Sequence, residues 1–421
     1  MLPRDQRHLQ QRPANQHGEG IASQLDLVDP PAPPAPDREA RALLLGSRAA
    51  PDAAADRRLV EVATGPVDWG LVVHRAHGEG VLPLVQWNLR RLELLNHLPS
   101  EAQRRLRAGA QSLWARGAVL AARWGEATCA LGEAGIETIT VKGIALAHTV
   151  YPEPELRPMA DIDLLVRAAD RVRAIEALAR LGYRTPGPEA ERLGESRCFA
   201  ELVRDGAHLD LHWDVARYLR FEGVVRVDHE GLWSRARPLV LAEGRSLTLC
   251  PEDTLLHLAL HLTLGSDFAR VLWYADIDAL IRRHATELDW SLIVDEARRW
   301  RIGALLYWTL GVVSVSFGTP LPAGLGERLA PGRLRRAAVG ACIDSSWPPS
   351  LGSSLSEARV YPAQTLLMDR GLDVVRVLAW TFFPSGTWLR LHYSIDAQWQ
   401  VPLYRAIHPV RVCWRIARQL M

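Results

Sequence analysis

Asp161 and Asp163 stand two apart in the stretch VKGIALAHTVYPEPELRPMADIDLLV, residues 141–166. On an extended strand such residues point to one face, so the two carboxylates would lie side by side and repel. A divalent cation relieves that repulsion, and Mg²⁺ prefers carboxylate oxygens while completing its shell with phosphate oxygens. Asp210, in HLDLHW, offers a third carboxylate that faces the same way if its strand neighbours the first. Three carboxylates beside a phosphate-binding turn can hold two metals. One activates an attacking oxygen and the other stabilises a leaving pyrophosphate.

The phosphate-binding turn would be Lys142-Gly143. Of the 50 basic residues, Lys142 is the sole lysine and the rest are arginines. An ammonium is a compact point charge, whereas a guanidinium is a rigid planar fork, so a lone lysine suits a tight turn that must neutralise a phosphate. A coding bias that left one chance survivor is the bland alternative. Gly143 lets the backbone approach a triphosphate closely. Arg157, in LRPMADID, carries a fork that could grip a phosphate or an acidic acceptor, unless Glu153 or Glu155 engages it. His212 lies two residues past Asp210 and faces the same side, where it could orient a nucleophile, act as base, or simply pack. An isolated D-x-D is common on solvated strands; the ordered set of Lys-Gly turn, D-x-D and lone Asp is far more restrictive.

These residues need a sheet to place them. IETITV (136–141), DIDLLV (161–166) and AHLDLHWDV (207–215) read as strands, the last two alternating polar and apolar. AADRVRAIEALARLGY reads as an amphipathic helix capped by Gly182. An α/β unit is therefore expected over 126–247, between an N-terminal helical region at 38–125 and a C-terminal one at 248–421. Residues 1–37 form a Pro- and Gln-rich leader, expected to be disordered and without a secretory signal. Residues 302–326 carry no charge and are long enough to span a bilayer. Their glycines and prolines favour a buried helix ending in the TPLP turn, so no transmembrane segment is expected.

Composition narrows the partners. With 48% hydrophobic and 23% charged residues the chain reads as globular, and its net charge of +2 gives no general pull toward nucleic acid. Five cysteines, scattered and without a C-x-x-C, argue against a disulfide framework or zinc ribbon and fit a cytoplasmic protein. His257 and His261 have metal-ligand spacing but no intervening Glu, and read better as packed histidines. Asp276 and Asp278 repeat the D-x-D spelling on an apparent helix, where residues two apart diverge by about 200°. No G-x-x-x-x-G-K-[ST], G-x-S-x-G or H-E-x-x-H occurs. The C-terminal stretch 389–420 is rich in Arg and Trp, suited to an acidic partner, a membrane surface, or covering the core.

The stretch 141–166, with HLDLHW, DWGLVVHRAHGEGVLPLV, PEDTLLHLALHL and VLWYADIDALI, resembles a bacterial nucleotidyltransferase family of uncharacterised function within the polymerase-β-like superfamily. The resemblance runs from about Arg38 over most of the chain. It implies an α+β nucleotidyltransferase core with a small mixed sheet and flanking helical regions. Gly143 then takes the turn position, Asp161 and Asp163 the metal pair, and Asp210 the third carboxylate. Ile144 stands where the superfamily has a small residue. The activity implied is Mg²⁺-dependent (or Mn²⁺-dependent) transfer of a nucleoside monophosphate from an NTP, ATP included, to a small-molecule, peptide or protein acceptor. Two alternatives stand beside it: a D-x-D sugar-nucleotide glycosyltransferase, and a non-catalytic peptide- or protein-binding module on the same fold.

Overall fold

The computed structural model describes residues 37–187, 199–216, 219–342, 357–395 and 397–420. The expected leader lies outside them except for Asp37, which caps the first helix. Asp37, Asp52 and Asp68 precede α1 (Arg38–Gly46), α2 (Ala53–Ala63) and α3 (Trp69–Gly78), and each accepts a backbone N–H three residues on. Such caps contribute about 1 kcal/mol each. After α4 (Leu82–Arg91) comes α5 (Ser100–Glu133), a 34-residue helix that runs unbroken through the border expected at 125/126.

Six strands form one mixed sheet in the order β3-β4-β2-β1-β6-β5. They are β1 (Ile139–Thr140), β2 (Ile162–Leu165), β3 (Phe199–Arg204), β4 (Ala207–His212), β5 (Arg237–Val240) and β6 (Arg245–Thr248). Sequence reading anticipates only β1, β2 and β4. The signal for β3 is Asp205-Gly206, a dipeptide that favours two-residue hairpin turns because both residues take positive φ; here they sit at 49° and 76°. Between the strands lie α6 (Gly143–Thr149), α7 (Arg171–Arg180) and α8 (His229–Arg235).

The period-2 pattern sorts the sheet's faces. Ile162, Leu164, Leu209 and Leu211 pack beneath the sheet against Trp124 and Leu131 of α5 and Leu178 of α7. The Trp124 indole donates to Thr140 Oγ1 at 2.8 Å, tying α5 to β1. A Cβ on Gly125 would come 2.1 Å from the Glu243 carbonyl oxygen, so only glycine lets α5 pass the β5–β6 turn. On the other face Leu165 joins a larger core. That core runs without a break from Leu43, Val72 and Leu89 of the N-terminal helices to Leu256, Ile277 and Leu305 of the C-terminal ones. The two helical regions are thus packed together over the face that carries Asp163.

The C-terminal region continues through α9 (Pro251–Leu260), α10 (Val271–Arg283), α11 (Trp290–Trp300), α12 (Gly303–Phe317), α13 (Leu325–Leu329), α14 (Arg333–Cys342), α15 (Glu357–Leu366), α16 (Gly371–Phe382), α17 (Gly386–His392) and α18 (Val401–Leu420). The uncharged stretch forms α12, buried along most of its length. Among the described residues no helix is long and apolar enough to cross a membrane. Cys129, Cys250 and Cys413 are free thiols; Cys198 lies outside the described residues.

Candidate active site

The site sits where the end of β1 and the start of β2 lie beside the middle of β4. β2 and β4 run parallel with Asp163 paired to Asp210 and Leu165 to His212. Asp163 and Asp210 are therefore lateral neighbours on one face. The donor atoms of Asp163, Asp210 and His212 all lie within 4.8 Å of one another, and all three residues are buried or nearly so. Two carboxylates with an imidazole suit a hard divalent cation, and the nitrogen donor favours Mn²⁺ over Mg²⁺.

Asp161 stands apart from that trio. β2 begins at Ile162, so Asp161 occupies the bend ahead of the ladder, half-buried and within electrostatic reach of Arg157. The chain that leads to it is held from three sides. Arg157 Nε and Nη2 donate to Asp276 Oδ1 and Oδ2 at 3.1 and 2.8 Å. Arg116 donates to the Ala160 carbonyl at 2.8 Å. Met159 lies so near Gly143 that a Cβ there would come 3.1 Å from its Cγ.

Lys142 lies just past the last β1–β2 hydrogen bond, Val141 N–H to Asp163 O at 3.2 Å. Its backbone takes φ 51° and ψ −121°, a conformation costly for any residue with a Cβ. The turned backbone brings Nζ to 2.6 Å from Asp163 Oδ1, and His212 Nε2 reaches the same oxygen at 2.9 Å. Burial alone would push the Asp163 carboxyl up, but the Lys142 ammonium and the His212 imidazole outweigh it and hold it well below the ordinary carboxylate range. The Phe199 ring stacks on His212 at 5.5 Å. Ile144, where a small residue is expected, points away from the turn into the core beneath the sheet.

The structure therefore gathers Lys142, Gly143, Asp163, Asp210 and His212, with Asp161 at the rim. Arg157 differs from expectation. Its fork is 4% exposed and engaged by Asp276, not by Glu153 or Glu155. Burial works against its charge, but Asp276 outweighs burial and raises it above the ordinary arginine range. Tyr151 completes that cluster by donating to Asp276 Oδ1 at 2.7 Å. The second D-x-D is divided as its helix requires: Asp276 serves Arg157, and Asp278 accepts from Arg282 and Thr319.

Glu201 escapes sequence reading because β3 does. It pairs with Asp210 across β3 and β4 and lies 3.3 Å from His208 Nδ1, extending the acidic face by one strand. Beyond β4, Asp214 lies 3.1 Å from His229 Nε2.

Residues 65–318, more than half of the chain, match the family described as "Uncharacterised nucleotidyltransferase". No curated protein matches the chain.

Proposed function

Because the chain belongs to the uncharacterised nucleotidyltransferase family, we propose that it moves a nucleoside monophosphate from an NTP to a hydroxyl, phosphate or amine acceptor with a divalent cation. The observation that carries this reading is the lateral pairing of Asp163 with Asp210 beside the Lys142-Gly143 turn. In the reaction an acceptor oxygen or nitrogen bonds to the α-phosphorus, the bond to pyrophosphate breaks, and the acceptor's proton leaves. Asp163 and Asp210 would hold the cation, with Asp161 at the rim and His212 as the nitrogen donor. When bound, the cation supplies Lewis acidity toward the phosphate oxygens.

The rest falls to side chains. Lys142 exchanges Asp163 for a phosphate oxygen, which its flexible stem allows and a guanidinium's planar fork would hinder. In the tautomer that donates Nε2–H to Asp163, His212 keeps the Nδ1 lone pair for the cation. Asp210, between Asp163 and Glu201 across the sheet, serves the acceptor side.

A second reading has one observation in its favour. Lys142 already neutralises Asp163, as it would in a silent binding module built on this fold. The two readings separate on incubation of the purified protein with each α-labelled NTP, Mg²⁺ or Mn²⁺, and a lysate of its own cell. Labelled acceptor and released pyrophosphate, both lost in Asp163→Asn, are expected. Absence of both with every NTP would favour the silent module.

A further inference from the structure

We propose that α18 seats this protein on an anionic phospholipid surface. Residues 398–420 contain Arg405, Arg411, Arg415 and Arg418 and no Asp or Glu. Trp399, just ahead of the helix, and Leu403, Val410 and Trp414 within it are 74, 55, 68 and 62% exposed. At about 100° per residue the spacings of seven and four put Leu403, Val410 and Trp414 within one narrow stripe of the helix, and Trp399 is exposed in the turn 398–400 ahead of it.

The opposite side of the helix is anchored. His408, two residues from Val410 and five from Leu403 and so about 140–160° away from both, is buried. Its Nδ1 lies 2.8 Å from the Tyr393 hydroxyl and its Nε2 3.1 Å from the Thr381 carbonyl of α16. The apolar stripe therefore faces outward. Arg411 and Arg418 run along one edge of it, the former 5.0 Å above the Tyr393 ring and the latter 5.2 Å above the Trp414 ring.

Charge selects the occupant. An apolar face edged by arginines, with tryptophans at both ends, is what an in-plane interfacial helix presents to lipid headgroups. Each guanidinium can pair with a phosphodiester in two parallel hydrogen bonds. A second copy of the chain on this face would set arginine against arginine, because a two-fold contact pairs a patch with itself.

The test is co-sedimentation of the full chain with phosphatidylcholine vesicles, with and without phosphatidylglycerol. Binding to the anionic vesicles, weakened by salt and on the order of tenfold poorer to phosphatidylcholine alone, is expected. Trp399→Ser with Trp414→Ser, and separately Arg411→Glu with Arg418→Glu, should each cost on the order of tenfold with unchanged far-ultraviolet circular dichroism. Failure of the wild type to pellet would overturn the proposal, as would pelleting indifferent to either pair. So would a dimer that Trp399→Ser dissociates, or binding of poly-glutamate in place of vesicles. No nucleotide enters the assay, so its outcome is separate from that of the transfer reaction.

Discussion

Lys142 Nζ lies 2.6 Å from Asp163 Oδ1 with both side chains buried, so the acidic face carries its own cation. A divalent ion binding there must displace that ammonium. Lys142→Met leaves the buried Asp163 carboxylate with His212 alone against it, and the variant should melt below wild type in chelator. Added Mg²⁺ or Mn²⁺ should then raise its Tm more than the wild type's, because the ammonium no longer competes for the oxygen. Equal metal responses in thermal melts of the two proteins would show that lysine and metal do not share the position.

Lys142→Arg keeps the charge and adds bulk at a position that is 8% exposed. Overpacking of this kind costs about 1–3 kcal/mol, so the Tm should fall and turnover with it. A coding-bias origin for the lysine predicts no change in either. Melts and turnover side by side with wild type decide between them.

Asp276→Asn removes one charge from a buried fork-to-carboxylate pair while keeping its shape. Breaking such a pair costs about 3–5 kcal/mol. Urea unfolding should show that loss, and Arg157→Met combined with Asp276→Asn should cost less than the two single changes added together. Additivity would mean that the pair holds nothing.

His229 is raised above its ordinary value: burial lowers it, and Asp214 more than compensates. A group whose native pKa is raised stabilises fully below its unfolded value, about 6.5, and loses that contribution as pH climbs through the native value. The wild type should therefore lose stability relative to Asp214→Asn as pH rises above about 6.5, read as the difference in Tm along a pH series. Parallel curves would remove the pair from the pH response.

Much of the site was legible because β2 and β4 obey a strict two-residue alternation, which puts Asp163, Asp210 and His212 on one face whatever surrounds them. Lys142 was singled out by being the lone lysine, yet its partner was not visible. The contact depends on a backbone turned to φ 51°, which no propensity favours for lysine. Charge repulsion alone also suggests that Asp163→Asn would leave the fold untouched. The Lys142 and His212 contacts reverse that expectation, since the substitution strands a buried ammonium. Arg157 was noticed for its place beside the D-x-D, but the carboxylate that claims it lies 119 residues away on α10. Pairings at that distance leave no local pattern. The β5–β6 hairpin went unread because it is an exposed edge with Pro238 inside it, where burial imposes little alternation.

The reach from Arg157 to Asp276 also sets an order of assembly during synthesis. The last strand ends at Thr248 and α10 begins at Val271, so every strand of the sheet leaves the ribosome ahead of α10. Until Asp276 follows, the loop entering Asp161 lacks the carboxylate that pairs with its guanidinium, and the helical body over Asp163 is half built. The same dependence makes the expected unit 126–247 a poor choice for expression on its own. Excised there, it would keep the arginine and lose the carboxylate that lets it be buried.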